Sequence, residues 1–447
     1  MSRRFAARLA GIAPTLAALL LSGAPSHAQS NNGNRTLTFV NHCSQTVRLG
    51  INGGFVQNCG SNGSCPTGTT CLGNPPRNPP GCFWSFPSPT SGTQVLAPGG
   101  KPGNQVVYNL TNPPLTSTIT NGPAKGQTVT VKWSGNVYGM TGCDAQGNNC
   151  TTGLCPNPQG GPTVVPCQSG QGPGGPATLA EFTLVPTGAD VYDISLINGF
   201  NVPISMAPTS RSTNPSGKNP YWCRTPGATV AAGGLSACPW TFKTKLSVNG
   251  GNPTDYASSL RWVSPGGAAC GANGSCASGV CGLSGEPGRG TTITQLCGTQ
   301  KGWWNAFEVC TFNGGADNSN FGAPFNCSQQ ITGQGQMSEL YLCVATNAQS
   351  CYTPGAAAQC CGCPTWKIGG KTLPVSPGIT CASVNPAWTA NSQPWSLLVK
   401  QACPTAYSFP FDDATSTFTC QTANPSTTNP NNMGYTITFC PGDKTGL

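Results

Sequence analysis

"TLAEFTLVPTGADVYDISLI" (residues 178–197) carries three of the twelve acidic residues of a 447-residue chain in which charged side chains make up only 7%. In the two-residue period of a β-strand, Ala180, Phe182 and Leu184 share one face, while Leu179, Glu181 and Thr183 share the other. The pattern repeats downstream, with Tyr192, Ile194 and Leu196 on one side and Asp193 and Ser195 on the other. Pro186 and Gly188 mark the turn between them. An antiparallel hairpin centred near Thr187 then sets Glu181 directly opposite Asp193. Like charges so placed destabilise a strand pair by up to about 1 kcal/mol and raise the pKa of one partner. Such a pair implies a ligand or proton-transfer role, or else a cation close by that neutralises it.

Working outward, residues 35–50 ("RTLTFVNHCSQTVRLG") and 126–140 ("GQTVTVKWSGNVYGM") show the same alternation between Gly and Pro boundaries. Helical periodicity is confined to short runs, "MSELYLCVA" from Met337 and "QPWSLLVKQAC" from Gln393. The expected fold class is mainly β: an antiparallel β-sandwich core with disulfide-rich excursions and an enlarged domain of loops and short helices. "CGSNGSCPTGTTC" (59–71) and "CGANGSCASGVC" (270–281) form a weak internal repeat, too few copies for a solenoid, and read as two small disulfide-tied knobs. Eight of the ten tryptophans lie between residues 207 and 402, a stretch poor in aliphatic side chains. Their indoles either pack against disulfides or, at Trp303 and Trp304 of "GWWNAFE", offer faces on which sugar rings stack.

Residues 1–28 have the pattern of an export signal, with Arg3, Arg4 and Arg8 before an apolar run and Ser26-His27-Ala28 as a small-residue cleavage site. "SRRF" lacks the spacing of a twin-arginine signal, so the general secretory route is expected. The expected location is extracellular or periplasmic. No later run approaches the roughly 20 apolar residues of a membrane span. The formal net charge of +9 falls to +6 once three arginines leave with the signal. The remaining Lys and Arg are scattered, which argues against nucleic acid as a partner.

All 26 cysteines follow the signal, an even number in an exported chain, so up to 13 disulfides are expected in place of metal or redox sites. This includes Cys360, Cys361 and Cys363 of "QCCGCP". His42 is the one histidine beyond the signal. A multi-histidine metal site is thereby excluded, and a Ser-His-Asp or Cys-His arrangement would have to be built on that residue. No glycine-rich phosphate loop opens a helix, so no nucleotide cofactor is expected. Acid-base chemistry falls to the carboxylates, of which Asp412 and Asp413 in "SFPFDDATSTFTC" form the second concentration.

"TLAEF", "YDISLINGFNVP", "SMAPTS", "CPTAYSFPFDDATSTFTC" and "YTITFCPG" together resemble the thaumatin-like proteins, the family of thaumatin and osmotin. "FVNHCSQTV" resembles that family's opening strand and "TGCDAQGNNCTTGLC" one of its disulfide loops. The resemblance implies a β-sandwich core at 29–206 with a Cys-rich insertion at 51–100, an inserted Cys- and Trp-rich second domain at 207–402, and a return to the core at 403–447. It implies bridges Cys43–Cys440, Cys143–Cys150, Cys155–Cys167 and Cys223–Cys420, with Cys403 paired into the second domain. It further implies an interdomain cleft of one Arg, one Glu and three Asp. Glu181 matches the Glu, Asp193 the first Asp and Asp412 the last. Asn198 stands at the middle Asp, and Asn136 and Met140 stand where arginines are expected.

The family binds β-1,3-glucans, many members inhibit fungi, and some hydrolyse the glucan. The leading expectation is therefore a monomeric, secreted, antifungal or defence-related protein that holds β-1,3-glucan or a related wall polysaccharide. Asp193, Asp412, Asn198 and Asn136 would give polar contacts, with Trp303 and Trp304 as stacking surfaces. A second reading is a weak endo-β-1,3-glucanase with Glu181 as general acid and Asp193 as base or nucleophile. A third is a non-catalytic structural, inhibitor or antimicrobial surface protein.

Overall fold

The computed structural model describes residues 35–447 apart from 60–62, 66–67, 73–79, 111–114, 119–127, 132, 157–163, 166, 168–171, 211, 216, 249–250, 286–292, 312–323, 333–334, 344–360, 380–382 and 427–429. The export-signal expectation for residues 1–28, and Cys360, lie outside the described residues.

Two sheets carry the core. One has four strands in the order Ile204–Pro208, Tyr435–Phe439, Arg35–Asn41, Gln105–Leu110. The last strand of the chain thus sits between the first strand, which it meets in parallel, and Ile204–Pro208, which it meets antiparallel. The other has six strands in the order Phe418–Cys420, Asp190–Ser195, Leu179–Leu184, Trp133–Thr141, Val47–Gly53, Val95–Leu96. Alternation builds both: Arg35, Leu37, Phe39 and Asn41 of the first strand are buried while Thr36 is exposed. Between the sheets runs a chain of aromatic contacts, with Trp133 edge-on to Phe182 (6.0 Å), Phe182 edge-on to Tyr435 (5.8 Å) and Tyr435 against Tyr192 (4.9 Å). These offset and edge-on arrangements are the ones favoured by the ring quadrupoles.

The acidic hairpin adopts the register its alternation requires, with Glu181 opposite Asp193 and Phe182 opposite Tyr192. Asp190 and Asp193, three residues apart, therefore point to opposite faces. Asp190 turns inward and is fully buried. Its carboxylate accepts from Arg35 Nη1 (2.7 Å), Tyr435 Oη (2.9 Å) and the Val185 amide (2.8 Å), and the second Arg35 nitrogen donates to Val185 O (2.7 Å). One ion pair thus ties the first strand of one sheet to the hairpin of the other.

Outside the sandwich, a smaller sheet of Thr294–Gly298, Val280–Ser284, Arg261–Val263 and Gln300–Trp303 and several short helices come from residues beyond 210. Ile204–Pro208 forms one edge of the four-stranded sheet. Every described cysteine is disulfide-bonded. Cys43–Cys440 closes the ends of the core, and Cys223–Cys420 and Cys238–Cys403 fasten the later segments to it. Cys143–Cys150 and Cys155–Cys167 tie one loop, and Cys361 pairs with Cys343. No helix among the described residues is long and apolar enough to cross a membrane.

Removing one partner of a buried ion pair strands the other charge and costs about 3–5 kcal/mol, whereas replacing both with apolar residues is often close to neutral. Asp190→Ala is expected to lose stability on that scale in guanidinium melts, and Arg35→Met/Asp190→Leu to recover most of it.

Candidate functional site

The outward face of the hairpin continues as a polar row across the six-stranded sheet. Glu181 pairs with Asp193 on one side and Asn136 on the other, and Asn136 pairs with Asn52. On the far side, Phe418 lies opposite Tyr192, which puts Thr417 alongside Asp193. With strands roughly 4.8 Å apart, the row spans about 19 Å.

Two covers flank this row. On one side Tyr138, Met140, Leu179 and Cys150 form a small apolar cluster with Ala177, beneath the loop tied by Cys143–Cys150. On the other, the segment around Tyr407 adds backbone bonds to the hairpin, the Tyr407 amide donating to Ile194 O and the Leu196 amide to Tyr407 O (2.9 Å each). The Tyr407 hydroxyl shares a 2.6 Å hydrogen bond with Thr417 and donates to Asp413 Oδ1 at 3.0 Å. Asp193 is consequently 9% exposed, and Glu181 is half-buried.

Burial dominates the electrostatics. Desolvation pushes Glu181 up to about 7, partly offset by hydrogen bonds from Asp193 and Asn136. Burial, then the charges of Glu181 and Asp413, hold Asp193 well above the usual carboxylate range. Asp413 is pushed up to about 6, again chiefly by burial, with the Tyr407 hydroxyl working against it. The charges acting on Asp193 are thus both acidic, and the neutralising-cation reading of the pair has no support in them. Both carboxyls are instead shifted toward the protonated form, as buried acids close to like charge are. Asp193 Oδ1 and Asn136 Oδ1, on either side of Glu181, are buried without a hydrogen-bond partner among the described residues.

Two of the expected contacts require correction. Asp412 does not face the row. It is 2% exposed and forms an ion pair with Lys400 Nζ (2.8 Å). It also accepts from Trp366 Nε1, the Ser408 amide and hydroxyl, and Thr415 Oγ1. With so many donors its oxygens are fully engaged in holding the 400–416 segment together, and its neighbour Asp413 is the acid that reaches the pair. Trp303 and Trp304 offer no stacking face either, being 7% and 2% exposed. Their indole N–H groups donate to Gly446 O and Leu283 O. Trp303 stacks on Phe242 and Trp304 lies edge-on to Trp262. They are core residues of a segment whose apolar volume is aromatic.

Asn198 lies just past the hairpin, half-buried, and donates to Glu308 Oε2 at 2.8 Å. Glu308 comes from helix Ala306–Thr311, whose approach is fixed by Asn305 Nδ2 donating to Leu196 O and Ser408 O. Burial pushes Glu308 up to about 7, with the Asn198 amide opposing the shift. Sequence alone does not single out Asn52 or Tyr407 of this region, names Asp413 only with Asp412, and does not anticipate the contact of Glu308 with Asn198. Strand alternation carries the signal for Asn52, while a helix arriving from more than a hundred residues away left none for Glu308.

Comparison with known proteins places this architecture. The profile described as "Thaumatin family" matches residues 106–282. Pathogenesis-related thaumatin-like protein 3.2 of Cryptomeria japonica is 37% identical over 164 residues, 32% of this chain and 66% of that protein. Pathogenesis-related protein 5 of Arabidopsis thaliana is 43% identical over 98 residues, 21% and 37% of the two chains. Pathogenesis-related thaumatin-like protein 3.5 of Cryptomeria japonica is 26% identical over 355 residues, 78% and 82%. The chain thus spans less than two thirds of the length of the first two of these relatives.

An acid whose folded pKa lies above its unfolded value holds its proton more tightly when folded. The stabilisation is complete below the unfolded value and is lost as pH rises through the folded one. For Glu181 that window runs from 4.5 to about 7. Thermal stability is expected to fall across it, and Glu181→Gln to flatten the slope and to stabilise the protein at pH 8 but not at pH 4.

Proposed function

The chain belongs to the thaumatin family, and from that premise we propose that it is a secreted, defence-related protein whose acidic row binds β-1,3-glucan or a closely related uncharged wall polysaccharide. The observation that carries this reading is the row itself. Carboxyls and carboxamides from Asn52 to Asp193 cross the sheet in register over about 14 Å, Asn52 and Glu181 are half-buried, and burial shifts the Glu181–Asp193 pair toward its protonated form. Such a surface suits a ligand that donates many hydroxyl hydrogens and brings no negative charge. A bond from a neutral donor to a charged acceptor contributes about 1.5–3 kcal/mol, so two or three suffice to align a polymer strand.

On this reading residues 207–402 form the inserted second domain, and Asn198 with Glu308 extends the polar surface beyond the hairpin. Asn198 serves through its remaining carboxamide oxygen, since its nitrogen is held by Glu308.

Binding without hydrolysis is favoured over the glucanase reading by one feature. A glycosidase pair stands about 5–5.5 Å apart for retention or 6.5–9.5 Å apart for inversion, with the scissile bond between. Glu181 and Asp193 are directly opposed residues of adjacent strands, so their side chains rise side by side from one sheet face and do not flank a bond from two sides.

Co-sedimentation with insoluble β-1,3-glucan tests the proposal. Wild-type protein is expected in the pellet, and Glu181→Gln/Asp193→Asn is expected to bind at least tenfold more weakly. Asp412→Asn is expected to lower stability before it lowers binding of the folded fraction. Failure of the wild type to sediment would overturn the binding reading, and reducing ends released from a linear β-1,3-glucan, but not by Glu181→Gln, would establish the enzyme instead.

A further inference from the structure

A concavity lies elsewhere in the protein, sharing no residue with the acidic row. It is a trench of about 900 Å³ between the Cys43–Cys440 end of the sandwich and the inserted sheet. That volume falls within the range of well-formed ligand sites, roughly 300–1,000 Å³. One wall comes from the loop after the first strand, with Ser44 and Gln45, and the opposite wall from the inserted segment, with Ser264, Thr299 and Lys301. The tail residue Thr445 closes one side.

The floor is rigid and its polar groups are satisfied. Asn201 Nδ2 donates to Gly139 O (2.7 Å) and Thr152 Oγ1 (2.9 Å), its oxygen accepts from the Thr178 amide, and the Thr141 and Thr152 hydroxyls meet at 2.6 Å. The walls are fixed to one another. Phe200 and Trp303 exchange two backbone hydrogen bonds of 2.9 Å, and the Trp303 indole donates to Gly446 O, which pins the tail beside the trench.

The rim is different. Ser44 and Thr299 are exposed, as is Thr445, and their hydroxyls make no hydrogen bond among the described residues. Charge is sparse and balanced. Lys301 has its Nζ 4.2 Å over the Trp262 ring, and Asp443 and His42 also line the trench.

From this arrangement we infer that the trench is a binding site for a neutral oligosaccharide, separate from the acidic row. A polyanion would find no cationic track there, and a purely aliphatic ligand would leave the hydroxyl and carboxamide groups of Ser44, Gln45, Ser264 and Thr299 covered without partners. A hydroxyl-rich, uncharged chain finds hydroxyl and carboxamide groups on both walls at a spacing held by disulfides and backbone bonds. That preorganisation spares the ordering cost that weakens most polar recognition. The inference does not depend on the glucan reading of the acidic row, because the two surfaces are built from different residues.

Calorimetric titration of full-length Glu181→Gln/Asp193→Asn protein, with the acidic row silenced, is the test. The probes are linear β-1,4-glucose and β-1,4-N-acetylglucosamine hexamers, with an uncharged extended peptide as the competing class. One of the sugars is expected to bind at one site per chain. Ser44→Trp or Thr299→Trp, which fill the trench from exposed positions, are expected to weaken it at least tenfold with an unchanged melting temperature. In the otherwise wild-type chain, the same two substitutions are expected to leave sedimentation with β-1,3-glucan unaltered. Absence of sugar binding up to millimolar concentration, binding indifferent to both substitutions, or binding of the peptide in place of the sugars would each overturn the inference.

Discussion

The two-residue period of one hairpin divides the work of its acids. Asp190 turns inward to Arg35 and Tyr435 and so joins the two sheets, while Asp193 turns outward to Glu181. Neither could exchange roles without a one-residue slip, and a slip would carry Phe182 and Tyr192 out of the aromatic contacts between the sheets. The core therefore enforces the repulsion on the outer face. Two carboxyls are held together by a ladder stabilised on its opposite side, and burial and like charge push both toward the protonated form.

The covering segment needs its own anchor, because an isolated loop would not stay folded over two acids. Lys400, Asp412 and Ser416 provide it in a buried cluster, with Lys400 Nζ donating to Asp412 (2.8 Å), Ser416 (2.7 Å) and Ala406 O (3.0 Å). Cys238–Cys403 and Cys223–Cys420 hold its two ends. Such long-range bridges act mainly by narrowing the unfolded ensemble, which suits a chain with 60 glycines and 42 prolines and correspondingly few long apolar runs. Asp413 and Tyr407 are then presented to Asp193 by a segment that cannot retreat.

What sequence could and could not reveal follows the range of each interaction. The Glu181–Asp193 register depends on strand period and turn length, both local, and was legible in "TLAEFTLVPTGADVYDISLI". Which member of Asp412-Asp413 is buried depends on Lys400, twelve residues earlier, and on Trp366, so two adjacent identical residues could not be told apart. The Asn198–Glu308 bond spans 110 residues and an inserted helix, with no periodicity to announce it. Sequence left Trp303 and Trp304 between packing and a sugar platform, and composition decides for packing. In a segment poor in aliphatic side chains the indoles are the core, and their N–H groups find backbone carbonyls.

The two cysteine knobs show how the insertion could acquire a surface of its own. Cys59–Cys71 with Cys65–Cys82, and Cys270–Cys281 with Cys276–Cys297, follow one connectivity, first to third and second to fourth. In both, the third and fourth cysteines face each other across an antiparallel pair, Cys71 opposite Cys82 and Cys281 opposite Cys297. The shared "CG-x-NGSC" opening and shared pairing describe one module used twice. Such a module has too little apolar area for an independent core and is held by its crosslinks, so its outer residues are free to vary without loss of the fold. In the second copy the strands lead directly into Thr299 and Lys301, and this is the wall that the sandwich alone does not supply to the trench.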